Sequence, residues 1–217
     1  KEVNAISYDS RKVKPGNIFV AINGLKDSGC NYINQAIQNG AVAILSNNKI
    51  EKHLQIASIQ VENPRVAMSK IAADFYDNPS EKMTVFGITG TNGKTSISHI
   101  LYHILNQSSL SCGMLGTLGF YSPTGILSTG FTTPESVETQ QMLDTLVSAK
   151  IKHVVMEISS HALKMHRVDD VQVDIGIFSN LTQDHLDFHG TMESYFNAKL
   201  QLFKSLSSNS TAVVNLD

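Results

Sequence analysis

The strongest constraint on the fold of this 217-residue chain is a glycine-rich turn, Gly87-Ile-Thr-Gly-Thr-Asn-Gly-Lys-Thr95, that opens a helical pattern. It follows a strand-like run, Met83-Thr-Val-Phe86. In such an arrangement the backbone N–H groups of the turn and the positive end of the helix dipole point at phosphate oxygens. Lys94 is placed to reach the β- and γ-phosphates, and the Thr95 hydroxyl to bind Mg²⁺. The turn predicts an α/β protein that binds ATP or GTP, although Ile88 stands where the usual pattern has its first glycine.

Composition and charge exclude several other classes of protein. The chain has 17 basic and 19 acidic residues, and no basic run alternates with aromatic residues as on a nucleic-acid-binding surface. No apolar stretch approaches 18 residues and no secretory leader pattern is present. Cys30 and Cys112 lack the spacing of metal ligands, so we interpret both as small buried thiols in a reducing compartment. We therefore predict a cytoplasmic protein that binds neither nucleic acid nor membranes.

A polar segment with a proline, Asn78-Pro-Ser-Glu-Lys82, divides the chain into predicted domains at 1–80 and 81–217. Strand-like and helical patterns alternate in both, which predicts a small N-terminal α/β domain followed by a doubly wound, mostly parallel sheet. Strands are predicted at 18–22, 41–45, 58–61, 83–88, 153–156, 173–178 and 211–216, and helices at 32–38, 65–76, from 94 onwards, around 142–147 and at 192–206. Because the last strand ends at the final residue, we expect a further domain to follow.

The helix that opens at Lys94 carries apolar residues at intervals of three and four. They are Ile97, Ile100, Leu101, Ile104 and Leu105. This spacing predicts a stripe that packs on the sheet with all five side chains.

Polar side chains follow two of the predicted strands at their carboxyl ends, where parallel α/β sheets collect functional groups. Glu157 comes directly after one strand, and an acid there either binds Mg²⁺ or caps neighbouring backbone. We favour the metal role because the phosphate loop lies opposite. Asp184, His185, Asp187 and His189 follow the next strand. Loop polarity and helix capping suffice for Asp187 and His189, but less well for His185, which is closer to the strand.

Lys199 lies on the apolar face of the last predicted helix, with Tyr195, Leu202, Phe203 and Leu206 at helical offsets. Lysine is rare at such positions. Either its ammonium group reaches solvent by snorkelling, or burial lowers its pKa and gives the nitrogen a chemical role or a partner. The periodicity alone leaves both readings open.

Six segments, in order along the chain, resemble the Mur ligase family of ATP-dependent amide-forming enzymes of peptidoglycan precursor synthesis. They are Asp9-Ser-Arg-Lys-Val-Lys-Pro-Gly-Asn-Ile-Phe-Val-Ala21, Thr89-Gly-Thr-Asn-Gly-Lys-Thr95, Thr132-Thr-Pro134, Glu157-Ile-Ser-Ser-His-Ala-Leu163, Asn180-Leu-Thr-Gln-Asp-His-Leu-Asp187 and Tyr195-Phe-Asn-Ala-Lys199. The phosphate loop is common to the family and to folylpolyglutamate synthetase. The segments at 157–163 and 184–187 resemble the members that add the third amino acid of the stem peptide.

The resemblance implies a ligase that activates the D-glutamyl carboxylate of UDP-N-acetylmuramoyl-L-alanyl-D-glutamate as an acyl phosphate. The amine of lysine or diaminopimelate would then attack this intermediate. It also implies a UDP-binding first domain, a central ATP-binding domain and a C-terminal amino-acid-binding domain that is missing here, and a monomer is expected. A folylpolyglutamate-type ligase is an alternative, but it lacks a separate domain like residues 1–80. A nucleotide-binding module without catalysis is another.

Roles for single residues follow from the same resemblance. The ATP phosphates would be bound by Gly90, Thr91, Asn92, Gly93, Lys94, Thr95 and Ser96, the UDP end of the substrate by Tyr8, Ser10, Leu25, Lys26 and Asp27, and its muramoyl-dipeptide part by Thr132, Thr133, Ser159 and Arg167. One Mg²⁺ would be bound by Thr95 and Glu157, and His185 would help to hold a second, with carbamylated Lys199 as a further metal ligand. Lys94, His185 and Lys199 would be the catalytic residues. Met165 departs from the pattern, because relatives carry a substrate-contacting Gln there.

Overall fold

The computed structural model describes residues 2–24, 27–50, 54 and 56–216, and the chain divides into two compact units, one ending at Ala72 and the other beginning at Ala73. The division at residue 80 stays a prediction. Among its described residues, the first unit has a parallel sheet in the order β1-β2-β3-β4, with α1, most of α2 and the two 3-10 turns named below. Its elements are β1 (Ala5–Ser7), the turn Ser10–Lys12, β2 (Asn17–Val20), the turn Gly29–Tyr32, α1 (Ile33–Gln38), β3 (Ala43–Ser46), β4 (Ala57–Gln60) and α2 (Pro64–Phe75). Phe19, Ala36 and Ile44 are buried in its core.

The second unit has a seven-stranded sheet in the order β11-β10-β5-β9-β6-β7-β8. The first five of these strands are parallel, and β7 and β8 extend the sheet as an antiparallel hairpin. This arrangement confirms the predicted fold class. The elements are the 3-10 turn Pro79–Lys82, β5 (Thr84–Thr89), α3 (Lys94–Gln107), β6 (Cys112–Gly116), β7 (Gly119–Ser122), β8 (Gly125–Leu127), α4 (Ser136–Ser148), β9 (His153–Glu157), α5 (Ser160–Lys164), β10 (Ile175–Phe178), α6 (Leu186–His189), α7 (Met192–Lys204) and β11 (Thr211–Val214).

The prediction for the apolar stripe of α3 was only partly right. Leu105 is buried, and Ile97 and Leu101 pack beside it against the sheet, but Ile100 and Ile104 are 60% and 52% exposed. Successive helical residues are about 100° apart, so Ile100 and Ile104 lie together at one edge of the stripe, beyond the arc that meets the sheet. Across the described residues, no helix is long and apolar enough to cross a bilayer.

Candidate active site

The glycine-rich turn connects β5 to α3, as predicted, with Gly93 immediately before the first helical residue, Lys94. Gly90 and Gly93 have φ angles of +143° and +86°, which glycine adopts at little cost. A Cβ atom at Gly90 would lie 1.9 Å from Ser179 Oγ. Only glycine therefore lets this turn approach the end of β10 so closely. Ser96 is exposed in the first turn of α3.

The segment after β10 fastens the turn with hydrogen bonds that sequence reasoning missed. Thr91 N donates to Asn180 O at 2.9 Å, and Asn92 N donates to Asn180 Oδ1 at 3.0 Å. Ser179 Oγ donates to Asn92 O at 2.7 Å, and Thr182 N donates to Thr91 Oγ1 at 3.0 Å. The shape of the phosphate loop is therefore fixed by protein contacts. The run of polar residues directly after a strand was the available signal.

Two lysines donate to one carbonyl oxygen of the loop. Lys199 Nζ is 2.7 Å from Gly90 O, and Lys94 Nζ is 2.9 Å from Gly90 O and 3.0 Å from Thr91 O. Lys199 is only 2% exposed, and its Nζ lies 4.4 Å from the centroid of the Tyr195 ring. Burial, with repulsion from Lys94, lowers the pKa of Lys199 to about 7. The snorkelling interpretation is therefore wrong, and Lys199 is a buried amine.

Glu157, the last residue of β9, is 1% exposed and is surrounded by hydrogen-bond donors. Thr95 Oγ1 donates to Glu157 Oε2 at 2.8 Å, and Ser98 Oγ is 3.5 Å from Oε1. Thr117 donates to Oε1 through its backbone N–H and to Oε2 through its hydroxyl, both at 3.0 Å. Carboxylate and hydroxyl oxygens are ligands that Mg²⁺ prefers, so the adjoining Thr95 and Glu157 oxygens fit one such ion at the loop.

His185 and His189 occupy the two ends of α6. His185 is exposed, has a φ of +52°, and its Nε2 is 3.5 Å from Asp184 Oδ2. His189 is 8% exposed and its Nε2 lies 3.0 Å from Ser160 Oγ, so loop polarity was the wrong account of it. Within the described part of the chain, no three His, Cys, Asp or Glu residues form a group able to hold a metal ion. The second metal site stays a prediction.

The residues expected at the dipeptide come together between β9 and the neighbouring segment before α4. Thr133 is 1% exposed and its hydroxyl donates to Glu157 O at 2.9 Å, so its one hydroxyl proton is already used in a bond within the protein. The Ser159 hydroxyl accepts from Ala162 N at 3.1 Å and so caps α5. Thr132 Oγ1 is 3.0 Å from Thr117 Oγ1.

The guanidinium of Arg167 is anchored on three sides. It donates from Nη1 to Thr133 O at 3.1 Å, forms an ion pair with Glu135 Oε1 at 2.9 Å, and lies 5.5 Å from the centroid of the Phe131 ring. Met165 Sδ is 3.9 Å from Nη2. The ion pair is largely buried, with side-chain exposures of 14% and 11%. Sequence reasoning missed Glu135, although it follows the quoted Thr-Thr-Pro segment directly.

In the first unit, a cleft of about 540 Å³ contains Tyr8, Ser10 and Asp27 among its lining residues. Ser10 Oγ donates to Gln35 Oε1 at 2.6 Å. The hydroxyl of Tyr32 donates to Asp27, and this bond is the main cause of the lowered pKa of Asp27. Three of the residues expected to bind UDP are thus on one cleft, while Leu25 and Lys26 lie outside the described residues.

Comparison with known families decides the identity of this α/β protein. Residues 88–217, more than half of the chain, match the Mur ligase middle domain. The chain belongs to the Mur ligase family. Residues 2–76 of this Mur ligase match the description "Mur ligase family, catalytic domain".

Two similar ligases are longer than this chain. UDP-N-acetylmuramoyl-L-alanyl-D-glutamate–2,6-diaminopimelate ligase from Caldanaerobacter subterraneus subsp. tengcongensis is 44% identical over 216 residues, which are 100% of this chain and 44% of the relative. The ligase of the same name from Alkaliphilus oremlandii is 43% identical over 220 residues, covering 100% of this chain and 44% of the relative. This Mur ligase chain therefore spans less than half the length of these relatives.

Solved structures agree with the fold. A structure titled as a UDP-N-acetylmuramoyl-L-alanyl-D-glutamate–2,6-diaminopimelate ligase superimposes with a TM-score of 0.83 at 31% identity, over 99% of this Mur ligase chain and 43% of that chain. A Mycobacterium tuberculosis folylpolyglutamate synthase complexed with ADP and AMPPCP reaches a TM-score of 0.57 at 15% identity, over 69% and 41%. At that identity the second comparison shows a shared fold only.

Proposed function

We propose that this chain forms the nucleotide- and UDP-substrate-binding parts of an ATP-dependent ligase. The reaction joins 2,6-diaminopimelate to UDP-N-acetylmuramoyl-L-alanyl-D-glutamate through an acyl phosphate. The observation that carries the proposal is the 2.8 Å contact between Thr95 and Glu157 at a glycine-rich loop that also holds Lys94. The names of the relatives described above support diaminopimelate rather than lysine as the added amino acid.

The phosphate loop, residues 90–96, would bind the triphosphate through its N–H groups and the N-terminus of α3. Lys94 would leave the carbonyls of Gly90 and Thr91 to neutralise charge on the β- and γ-phosphates. Mg²⁺ bound by Thr95 and Glu157 would stabilise the charge of the transferring phosphoryl group. His185 would help to hold a second Mg²⁺. The protein would mainly position its reactants, which is how phosphoryl transfer is usually accelerated.

Lys199 would act after modification. With a pKa near 7, much of its amine is neutral at physiological pH and can attack CO₂. A carbamate forms by making an N–C bond and releasing a proton, and it replaces a buried cation by an anion next to the phosphate loop. That anion would be a metal ligand.

On the substrate side, Arg167 has a guanidinium already oriented by Glu135 and Thr133, and its planar fork suits a carboxylate or a pyrophosphate. Thr132 and Ser159 would contact the same dipeptide part. In the first unit, the cleft at Tyr8, Ser10 and Asp27 would hold the UDP end, with Leu25 and Lys26 beside it. The protein is proposed to work as a cytoplasmic monomer.

A transplant tests the proposal. Residues 1–217 would replace the matching segment of the Caldanaerobacter relative, and diaminopimelate incorporation would be measured with ATP, Mg²⁺ and UDP-N-acetylmuramoyl-L-alanyl-D-glutamate. The chimera should ligate, and Lys94→Ala and Lys199→Ala should abolish ligation. Lys204→Ala, an exposed change near the end of α7, should not. If the chimera folds but adding UDP-N-acetylmuramoyl-L-alanyl-D-glutamate and diaminopimelate does not cause it to release ADP, the proposal is wrong.

A further inference from the structure

Thr117 connects the carboxylate at the phosphate loop to the predicted dipeptide-binding side. It lies in the turn between β6 and β7, two strands that pair antiparallel through Gly116 and Gly119. Its backbone N–H and its hydroxyl donate to the two different oxygens of Glu157, both at 3.0 Å. Its hydroxyl is also 3.0 Å from the hydroxyl of Thr132.

The direction of these bonds is fixed by the number of protons available. A threonine hydroxyl has one proton to donate and two lone pairs that accept. Glu157, as a carboxylate, can only accept, so the Thr117 proton is used on Glu157 Oε2. The bond between the two threonines must therefore be donated by Thr132. The proton of Thr132 points inward, which leaves only its lone pairs free for another partner.

We propose that Thr117 is a positioning residue that orients Glu157 and Thr132 together, and that Thr132 meets the substrate as a hydrogen-bond acceptor. The second part rests on the proposed function, which puts Thr132 beside the muramoyl-dipeptide. An acceptor recognises an N–H or O–H group, such as a peptide amide or a sugar hydroxyl. It repels a phosphate or carboxylate oxygen. Thr132 would therefore bind a hydrogen-bond donor of the substrate, and Arg167 an anionic group of the same substrate.

The space around Glu157 favours this role for Thr117. A Cβ atom at Gly116 would lie 2.2 Å from Glu157 Oε1, so the carboxylate already occupies the space next to the turn between β6 and β7. Thr117 can then hold both carboxylate oxygens from one residue. A valine has the same shape as threonine and keeps the backbone N–H bond, but it has no hydroxyl. Thr117→Val therefore removes the connection with little change of packing.

The first test needs no ligand. In NMR spectra of the full chain, Thr117→Val should shift the methyl resonance of Thr132, and Thr117→Ser should restore it. Thr124→Val is the matched control, since Thr124 lies in the following turn, between β7 and β8, and contacts Ser122 instead. An unmoved Thr132 methyl in Thr117→Val, or an equal shift in the control, would overturn the assignment.

The second test measures binding of UDP-N-acetylmuramoyl-L-alanyl-D-glutamate by calorimetry, without nucleotide or Mg²⁺. One oriented hydrogen bond contributes a modest net energy, so Thr132→Val should weaken binding about tenfold and Thr117→Val about threefold. The double variant should bind like Thr132→Val alone, because Thr117 acts through Thr132. Thr117→Ser and Thr124→Val should bind like the unchanged chain.

Two outcomes of the calorimetry separate the hypotheses. If the unchanged chain binds the UDP-muramoyl-dipeptide but Thr117→Val and Thr132→Val bind equally well, the inference is wrong while the proposed function stands. If the unchanged chain does not bind it at all, the proposed function fails and the role of Thr132 as a substrate acceptor fails with it. The NMR result still decides whether Thr117 orients Thr132.

Discussion

Burial of the Lys199 amine makes the stability of the folded chain depend on pH. The pKa of this lysine falls from 10.5 to about 7 on folding, so between these values the unfolded chain binds more protons than the folded one. The free energy of unfolding therefore rises with pH in this window. Below pH 7 the folded chain carries the full cost of a buried ammonium.

Lys199→Met should accordingly stabilise the chain most at pH 7 and below. The advantage over the unchanged chain should shrink as pH rises toward 10.5, by at most about 1.4 kcal/mol per pH unit. Urea unfolding at pH 6.5, 8 and 9.5 in metal-free buffer measures it. Lys204→Met, exposed on the same helix, should show no such trend, and a constant difference for Lys199→Met would mean that its amine is charged throughout.

The buried ion pair of Arg167 and Glu135 gives a second residue-level prediction. Glu135→Ala leaves the guanidinium without its carboxylate and should cost about 3 kcal/mol in the free energy of unfolding. Adding Arg167→Met removes the unpaired charge, so the double variant should be more stable than Glu135→Ala alone. Equal stabilities of the single and double variants would show that the pair is solvated.

The two cysteines should differ in reactivity. Burial raises the pKa of the Cys112 thiol to about 12, whereas Cys30 is only half buried. The thiolate is the reactive form, so iodoacetamide at pH 8 should modify Cys30 and spare Cys112 in the folded chain. Mass spectrometry of the unchanged chain and of Cys30→Ser would measure this, and rapid labelling of Cys112 in the latter would show that β6 opens.

The sequence alone was enough to identify residues that are unusual for their position in a predicted helix or strand. Lys199 is a charged residue on an apolar helical face, and Glu157 is an acid at the end of a strand. Both can therefore be recognised without knowing which residues they contact. Thr117 and Glu135 do not, because their roles come from contacts with Glu157 and Arg167, residues 40 and 32 positions away along the chain. No periodicity of 2 or 3.6 residues carries that information.

At the scale of the element, α3 permits a test with two adjacent residues. Leu105 is 8% exposed in the core and Ile104 is 52% exposed. Leu105→Ala should cost about 2–4 kcal/mol in the free energy of unfolding, since it leaves a cavity, and Ile104→Ala less than about 0.5 kcal/mol. Denaturant unfolding of both variants compares them. Equal costs would mean that the sheet contacts the whole predicted stripe.

The elements that the sequence did not reveal are short. Strands β1 and β8 have three residues each, and α5 and α6 have five and four, which is too few for a period to be recognised. All of β8 is exposed, so it lacks the alternation of buried and exposed residues that marks a strand. Strands β6 and β7, with five and four residues, were also missed, and all of β6 is buried, so it shows no alternation either. The strands that were predicted agree with the structure within a few residues, as do α2 and α7. Helix α4 begins six residues before the predicted segment 142–147.

At the scale of the molecule, alternating strands and helices were enough to predict a mostly parallel sheet, but not its order. Strand β5 lies between β10 and β9, which come much later in the chain. This central position brings the phosphate loop between the ends of both neighbours, where Ser179 and Glu157 lie. Long-range order of this kind depends on which faces pack together and has no local signature.

Nucleotide binding should stabilise the folded chain as a whole. Mg²⁺-ATP at a hundred times its Kd should add about 2.7 kcal/mol to the free energy of unfolding. Lys94→Ala should lose most of this gain at the same concentration, because a charge-assisted contact to the phosphates is gone. Thermal unfolding with and without Mg²⁺-ATP measures both, with Lys204→Ala as the control. An undiminished gain in Lys94→Ala would place the nucleotide elsewhere.

The shared carbonyl of Gly90 has a consequence for affinity. Lys94 already donates to two loop oxygens, so an entering anion exchanges one set of bonds for another instead of supplying missing ones. The observed binding energy is then the difference between the two sets. A small anion that reaches Lys94 alone should gain little by the exchange. A triphosphate would also engage the N–H groups at the start of α3, whereas those of Thr91 and Asn92 already donate to Asn180. The hydrogen bonds that Lys94 makes in the unliganded loop should therefore weaken the binding of free phosphate more than that of a triphosphate.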